Sequence, residues 1–240
     1  ETPAFVQMKQ SAVATVSSPL RDAFRLHWKT ILRLMLFFCG PTAMFYLAVV
    51  FTLGYLTNTL GIPKQTGFTL LMIANACAIV GSIMGGLLSD RIGRKRTLLI
   101  ASTATFIMMM LYFPLLQTKD FATMAIAMGL FLGFTQVQTG IQPVAFAEAF
   151  PTNVRYSASA LAFTGASLFA GGPIPIVATW LLNLSNGSPW ALVALVGTLN
   201  VISFCMIAIG PETAGVDMNR LDSVDEVAGN QHAQVRHANS

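Results

Sequence analysis

Six long apolar runs divided by short turns leave this chain few folds to choose from. They lie near residues 32–57, 67–89, 97–117, 121–147, 157–184 and 189–210. A bilayer core of about 30 Å needs about 20 helical residues at 1.5 Å each, and every run reaches that length. Lipid offers no partner to a bare peptide group, so each run is predicted to be a helix. The connections hold turn formers: Asn58, Gly61 and Pro63, then Gly93, then Lys119 and Asp120, then Pro151 and Asn153, then Asn186, Gly187 and Pro189. Only 10% of the residues are charged and 54% are hydrophobic, whereas a soluble domain is about 25% charged. The fold class that follows is an all-α integral membrane protein with the lipid bilayer as its first partner.

The charges then orient the bundle. A net charge of +4 raises nucleic acid as a partner, but the basic residues occupy connections rather than one soluble face, which excludes it. Lys9, Arg21, Arg25, Lys29, Arg33, Arg91, Arg94, Lys95, Arg96, Arg155, Arg220 and Arg236 fall on one side of the alternating spans. Lys64 and Lys119 fall on the other. The positive-inside rule therefore predicts a multi-pass protein of the cytoplasmic (inner) membrane with both termini of this chain cytoplasmic. Residues 1–30 are expected to form a cytoplasmic linker. Leu20, Phe24, Leu26 and Ile31 gather near one face and Arg21, Arg25, Lys29 and Arg33 on the other, which reads equally as a surface helix or a solvated segment. Residues 31–210 form the six-helix bundle. Residues 211–240, polar and short of aromatics, read as a disordered cytoplasmic tail.

Two polar stretches interrupt the apolar pattern. The first, Gly86-Leu-Leu-Ser-Asp90-Arg91-Ile-Gly93-Arg94-Lys95-Arg96, joins the second and third runs. Gly93 permits its tight reversal, and Asp90 can bond backbone amides or the arginines beside it. The second, Glu148-Ala-Phe-Pro151-Thr-Asn-Val-Arg155-Tyr-Ser, joins the fourth and fifth runs, with Pro151 ending the fourth. Alternation of the spans brings both stretches to one membrane face. A charge cluster of Asp90, Arg91, Arg94, Glu148, Arg155 and Glu212 is expected there, with Glu148 pairing to Arg91 or Arg94 and Arg155 to Asp90 or Glu212. Exposed pairs contribute roughly 0–1 kcal/mol each. Pairs made in one conformation and broken in another still shift a population. The cluster is thus either a gate latch or a set of topology anchors.

These same residues carry a resemblance. Gly86-x-x-x-Asp90-Arg91-x-Gly93-Arg94-Lys95 between two spans resembles the loop signature of the major facilitator superfamily of secondary transporters. Glu148-x-Phe-Pro-Thr-x-x-Arg155-Tyr-Ser, Gly171-Gly172-x-x-Pro175 and Ala178-x-Trp180-Leu181 resemble its metabolite:proton symporter family, which includes permeases for shikimate, 2-oxoglutarate, citrate, and proline or betaine. Pro211-Glu212-Thr213 and Glu1-Thr2-Pro3 are similar to the short Pro-Glu-Ser/Thr motifs that follow the sixth and twelfth helices there. The resemblance implies that this chain is the C-terminal half, helices 7 to 12, of a twelve-helix symporter. The implied partners are the missing N-terminal six-helix half, protons and a small polar metabolite, an organic acid or a zwitterion. The complete protein would be a monomer working by alternating access about a central site.

The central thirds of the runs hold no Asp, Glu, Lys, Arg or His, the usual intramembrane proton carriers. Proton-coupling residues are therefore expected in the absent half. Neutral polar residues remain: Tyr46 and Thr42 one turn apart in the first run, Asn75 in the second, and Gln136 and Gln138 in the fourth, with Gln142 on the face of Gln138. Helices 7 and 10 line the cavity in the resemblance, which favours Tyr46 and Gln136. Each candidate reads either as a substrate contact or as interhelical glue. Gly40-Pro41 should kink the first run, and Gly171-Gly172-Pro173-x-Pro175 should bend the fifth toward its outer side. These breaks are gating joints or static bends. Gly81-x-x-x-Gly85 is a close-packing face.

The chain has no enzyme signature: no phosphate-binding glycine loop, no paired intramembrane carboxylates and no metal-ligand spacing. Cys39, Cys77 and Cys205 are isolated within apolar runs and imply neither disulfide nor metal. No cofactor is expected. A channel would need a ring of charges or a filter loop, and neither is present. The alternatives are a structural half that does not transport alone, or a transporter-like sensor whose tail would have to carry the signal.

Overall fold

The computed structural model describes residues 19–150 and 154–212. The expectations for residues 1–18, for the Pro151–Asn153 turn and for residues 213–240 lie outside them. Among the described residues six helices are long and apolar enough to cross a membrane: α1 His27–Thr59, α2 Lys64–Ile92, α3 Arg94–Gln117, α4 Phe121–Glu148, α5 Arg155–Leu184 and α6 Trp190–Ile209. Each lies over one predicted run. Helical residues begin earlier, at Pro19, and enter α1 through a non-helical backbone at His27 (φ −119°, ψ 18°). The opposite end of the bundle carries the α3–α4 turn. Asp120 caps α4 there by accepting from the Thr123 N–H and hydroxyl, both at 2.8 Å. Those bonds, the backbone one first, hold its carboxyl below the usual range.

Small residues decide which helices touch. Buried positions on α2 are Gly67, Leu70, Ala74, Ala78, Gly81, Gly85 and Ser89, steps of three and four that make one face. This face lies on α4, the most extensive helix pairing in the molecule. A Cβ at Gly81 would sit 2.2 Å from the Gly133 carbonyl oxygen, and one at Gly85 2.3 Å from that of Val137. From α4, a Cβ at Gly140 would sit 2.3 Å from the Ser82 oxygen. The two backbones are in direct contact, as the Gly81-x-x-x-Gly85 spacing predicts.

On α5 the buried residues recur every four positions: Ala158, Ala162, Ala166, Ala170, Ile174, Ala178 and Leu182. A strict four-residue repeat outruns a 3.6-residue turn by about 40° per step. A π turn at Ser167–Gly171, wider than an α turn, takes up part of that drift and keeps the stripe on α1. The expected break at Gly171 to Pro175 is therefore present, but it lies at the middle of α5 rather than toward its outer side, and α geometry resumes at Ile174.

The first helix changes its winding beyond the expected joint. Its backbone stays helical across Gly40 and Pro41, and π turns come later, at Leu47–Phe51 and Tyr55–Thr59. Gly40 is a contact point instead: a Cβ there would lie 2.8 Å from Ser203 Cβ and 3.1 Å from Asn200 Cα on α6. Pro41 lacks the N–H that would bond the Phe37 carbonyl four residues back. The Ser203 hydroxyl donates to that carbonyl, so α6 satisfies the group the proline orphans. Asn200 continues this seam, accepting from Ser102 of α3 at 3.3 Å and lying 3.6 Å from the Met44 sulfur.

Candidate functional site

At the Gly93 end of the bundle four helices converge on one residue, Arg94. Arg94, first residue of α3, donates to Asp90 of α2 through Nη1, and the same nitrogen donates to Ser89 Oγ at 2.9 Å. Its Nη2 reaches Glu148 Oε1 of α4 at 3.4 Å. Both side chains of the Arg94–Glu148 pair are largely buried, 14% and 9% exposed, whereas Asp90 is 66% exposed. Breaking the buried pair would leave a charge out of water, which commonly destabilises by 3–5 kcal/mol.

The fourth helix enters through Glu212, just beyond α6. Its carboxylate accepts the backbone N–H of Arg94 at 3.0 Å and of Lys95 at 3.3 Å. These amides open α3 and have no intrahelical acceptor, so an anion is favoured there. Gly93 makes the approach possible. Its φ of +97° suits glycine, and a Cβ would stand 2.9 Å from Glu212 Oε2. Lys95 Nζ closes the corner by donating to the Gly210 carbonyl at 2.8 Å.

The expected cluster is thus assembled around Arg94, with two corrections. Arg91 is exposed and forms no ion pair among the described residues, because its position on α2 turns it away from α4. Glu148 is taken by Arg94. Arg155 meets neither Asp90 nor Glu212: its Nε donates to the Phe150 carbonyl at 3.2 Å, and its Nη2 is buried without a partner. It closes the α4–α5 connection rather than bridging to α2. Ser89 and Lys95 belong to the node outside the expected set of ion pairs, because Ser89 carries no charge and Lys95 bonds a backbone carbonyl rather than a carboxylate. Ser89 was findable as the polar end of the buried α2 stripe.

The candidate cavity residues divide. Thr42 is buried with its hydroxyl unpartnered, and it lies with Tyr46 against Gly171. A Cβ at Gly171 would sit 2.8 Å from both Thr42 Cγ2 and Tyr46 Cε2. Tyr46 is half-buried, edge-on to Phe45 at 5.8 Å. Gln136 is half-buried and Gln142 buried on α4, and no hydrogen bond joins either to that group among the described residues. Asn75 is exposed and donates to the Leu71 carbonyl of its own helix at 2.8 Å. The fully buried amide is Gln138, which donates to Thr105 of α3 at 3.4 Å. No group of three or more His, Cys, Asp or Glu that could hold a metal occurs among the described residues.

The comparisons with known proteins converge on transport. Residues 2–224 match the sequence profile of the family "Sugar (and other) transporter". The chain is 27% identical over 194 residues to the glycine betaine/proline/ectoine/pipecolic acid transporter OusA of Dickeya dadantii, covering 78% of this chain and 38% of that protein. It is 25% identical to the proline/betaine transporter of Escherichia coli K12, covering 78% and 39%. It is 26% identical to a putative proline/betaine transporter of Staphylococcus aureus COL, covering 86% and 44%. The chain spans less than half the length of these curated relatives, and six helices fit half of their fold. These relatives are transporters rather than enzymes, and with its six apolar helices and its profile match the chain belongs to the sugar (and other) transporter family, within the major facilitator superfamily.

Proposed function

We propose that this chain is the C-terminal six-helix half of a proton-coupled symporter that takes up a small polar metabolite by alternating access. The observation that carries the reading is the Arg94 node, which ties α2, α3, α4 and the end of α6 through Asp90, Glu148 and Glu212. Such a node is a latch: its pairs bias which access state is populated. The node faces the cytoplasm and both ends of the chain lie there, in the inner membrane of a bacterial cell. Arg91 and Arg155 reinforce the charge of that face.

The other half of the cavity and the proton-coupling groups come from the missing N-terminal half, and the complete protein acts as a monomer. Tyr46, Thr42 and Gln136, with Gln142 and Asn75 as secondary contacts, present hydrogen-bonding groups to the substrate. The named activities of the relatives favour a zwitterion such as proline or betaine over an organic acid, and a wall without charge suits a zwitterion.

Radiolabelled uptake into vesicles of controlled orientation tests this. The panel is shikimate, 2-oxoglutarate, citrate, proline and betaine, with and without a pH gradient, for this chain alone and joined to its N-terminal half. Gradient-dependent uptake of proline or betaine by the joined form alone is the expected result. Uptake that ignores the gradient would remove proton coupling. Equal uptake by the unjoined chain would remove the half-transporter reading.

A further inference from the structure

Beside the node lies a recess with no assigned role. It opens at the same end of the bundle, between α1, α3, α4 and α6, and faces solvent on one side. Its cationic lining is Arg33, Arg94 and Lys95, over an apolar floor that includes Phe37, Leu98 and Met206. Among the described residues no carboxylate lines it. Asp90 and Glu148 are engaged by Arg94, and Glu212 by the α3 amides.

Arg33 is the anomaly. It is half-buried, and its guanidinium makes no hydrogen bond or ion pair among the described residues. Its Cζ would lie 3.9 Å from a Cβ on Gly210, whose carbonyl holds Lys95 Nζ. Two cations therefore stand at one backbone corner, Lys95 bonded to the Gly210 carbonyl and Arg33 beside Gly210. A half-buried guanidinium beside a second cation, with no protein carboxylate to pair it among the described residues, favours an anion at that spot. Cations standing over an apolar floor suit a compact oxyanion held at the rim.

We propose that this recess binds a phosphate oxyanion, with the Arg33 fork and the Lys95 ammonium as its ligands. A planar guanidinium matches two phosphate oxygens at once. The phosphate is either free in solution or the headgroup of an anionic phospholipid, which the basic face would attract. Bound there, it ties α1 to α3 and α6 next to the Arg94 node.

The test uses the purified full-length protein. Inorganic phosphate is titrated by calorimetry, and native mass spectrometry counts phospholipid retained from phosphatidylcholine vesicles made with and without phosphatidylglycerol. Arg33→Gln should weaken binding by about tenfold or more, the value of a lost charge-assisted fork. Arg96→Gln removes an equal charge from the exposed side of the same turn and should change it by less than about twofold. Lys95→Gln should repeat the Arg33→Gln result if the latter fails to fold. Retention of phosphatidylglycerol without a phosphate response assigns the headgroup as the source, and the reverse assigns the free anion. Binding of neither by the wild type, or equal losses in the Arg33 and Arg96 variants, overturns the proposal.

Discussion

The α2–α4 and α1–α5 seams both bring helices together with small residues and reach opposite mechanical ends. Between α2 and α4 the glycines put backbone on backbone, and both helices run unbroken over their full length. Between α1 and α5 an alanine stripe does the packing, and each partner holds a π turn, at Leu47–Phe51 and Ser167–Gly171. The π turn of α5 packs on α1 just before the π turn of α1. A π turn gives up α-helical hydrogen bonds and is a recurrent feature of functional sites. One bundle therefore contains a stiff seam and a deformable one. The Arg94 node hangs from the end of the stiff seam, since Asp90 ends α2 and Glu148 ends α4. The cavity candidates Thr42 and Tyr46 lie on the deformable one.

The largest break in this contrast should come from Gly81→Leu. Its Cβ alone meets a backbone oxygen at 2.2 Å, so no side chain can yield, and the loss should exceed the ~3 kcal/mol typical of overpacking. Folded protein recovered in detergent should fall to background. Asp90→Ala comes next and acts on function: uptake per folded protein should drop about fivefold, the effect of ~1 kcal/mol on a two-state population, with protein amount little changed. Normal uptake at equal amount would reduce the node to a topology anchor.

Gly171→Ala tests the deformable seam and should be milder, about 1 kcal/mol, because the atoms it meets belong to the Thr42 and Tyr46 side chains. Adding Tyr46→Ala should recover part of that loss, and strict additivity in melting temperature would show that the two do not touch. The smallest effect belongs to Asp120. Its folded pKa is depressed, so its capping contribution is full above the ordinary carboxylate value and is lost as pH falls through the lower, folded one. The protection factors of the amides at the start of α4 should fall on acidification in the wild type and be low at every pH in Asp120→Ala.

The spans were legible in the sequence because a bilayer demands length and apolarity from each helix separately, and α2 shows the agreement: its predicted run, 67–89, lies within Lys64–Ile92. The α2–α4 seam was legible for a related reason, since glycine spacing is local information. Partner choice in the charge cluster was not. Arg91 and Arg94 are equivalent in composition, and only the α2–α3 reversal at Gly93 directs one of them toward Glu148. At Gly40-Pro41 the sequence shows the proline but not what compensates it: the carbonyl it orphans is met by Ser203, more than 160 residues away in sequence. Asn200 stayed hidden for the same reason: its partners Ser102 and Met44 lie on two other helices.

The latch itself is most directly tested at Ser89, which is 2% exposed and hydrogen-bonded to Arg94. In a cysteine-free background, Ser89→Cys would be labelled with a membrane-impermeant maleimide, with and without proline or betaine under a pH gradient. If the node opens during the transport cycle, labelling is slow at rest and several-fold faster while substrate moves. An unchanged labelling rate in protein that is actively transporting would contradict the latch.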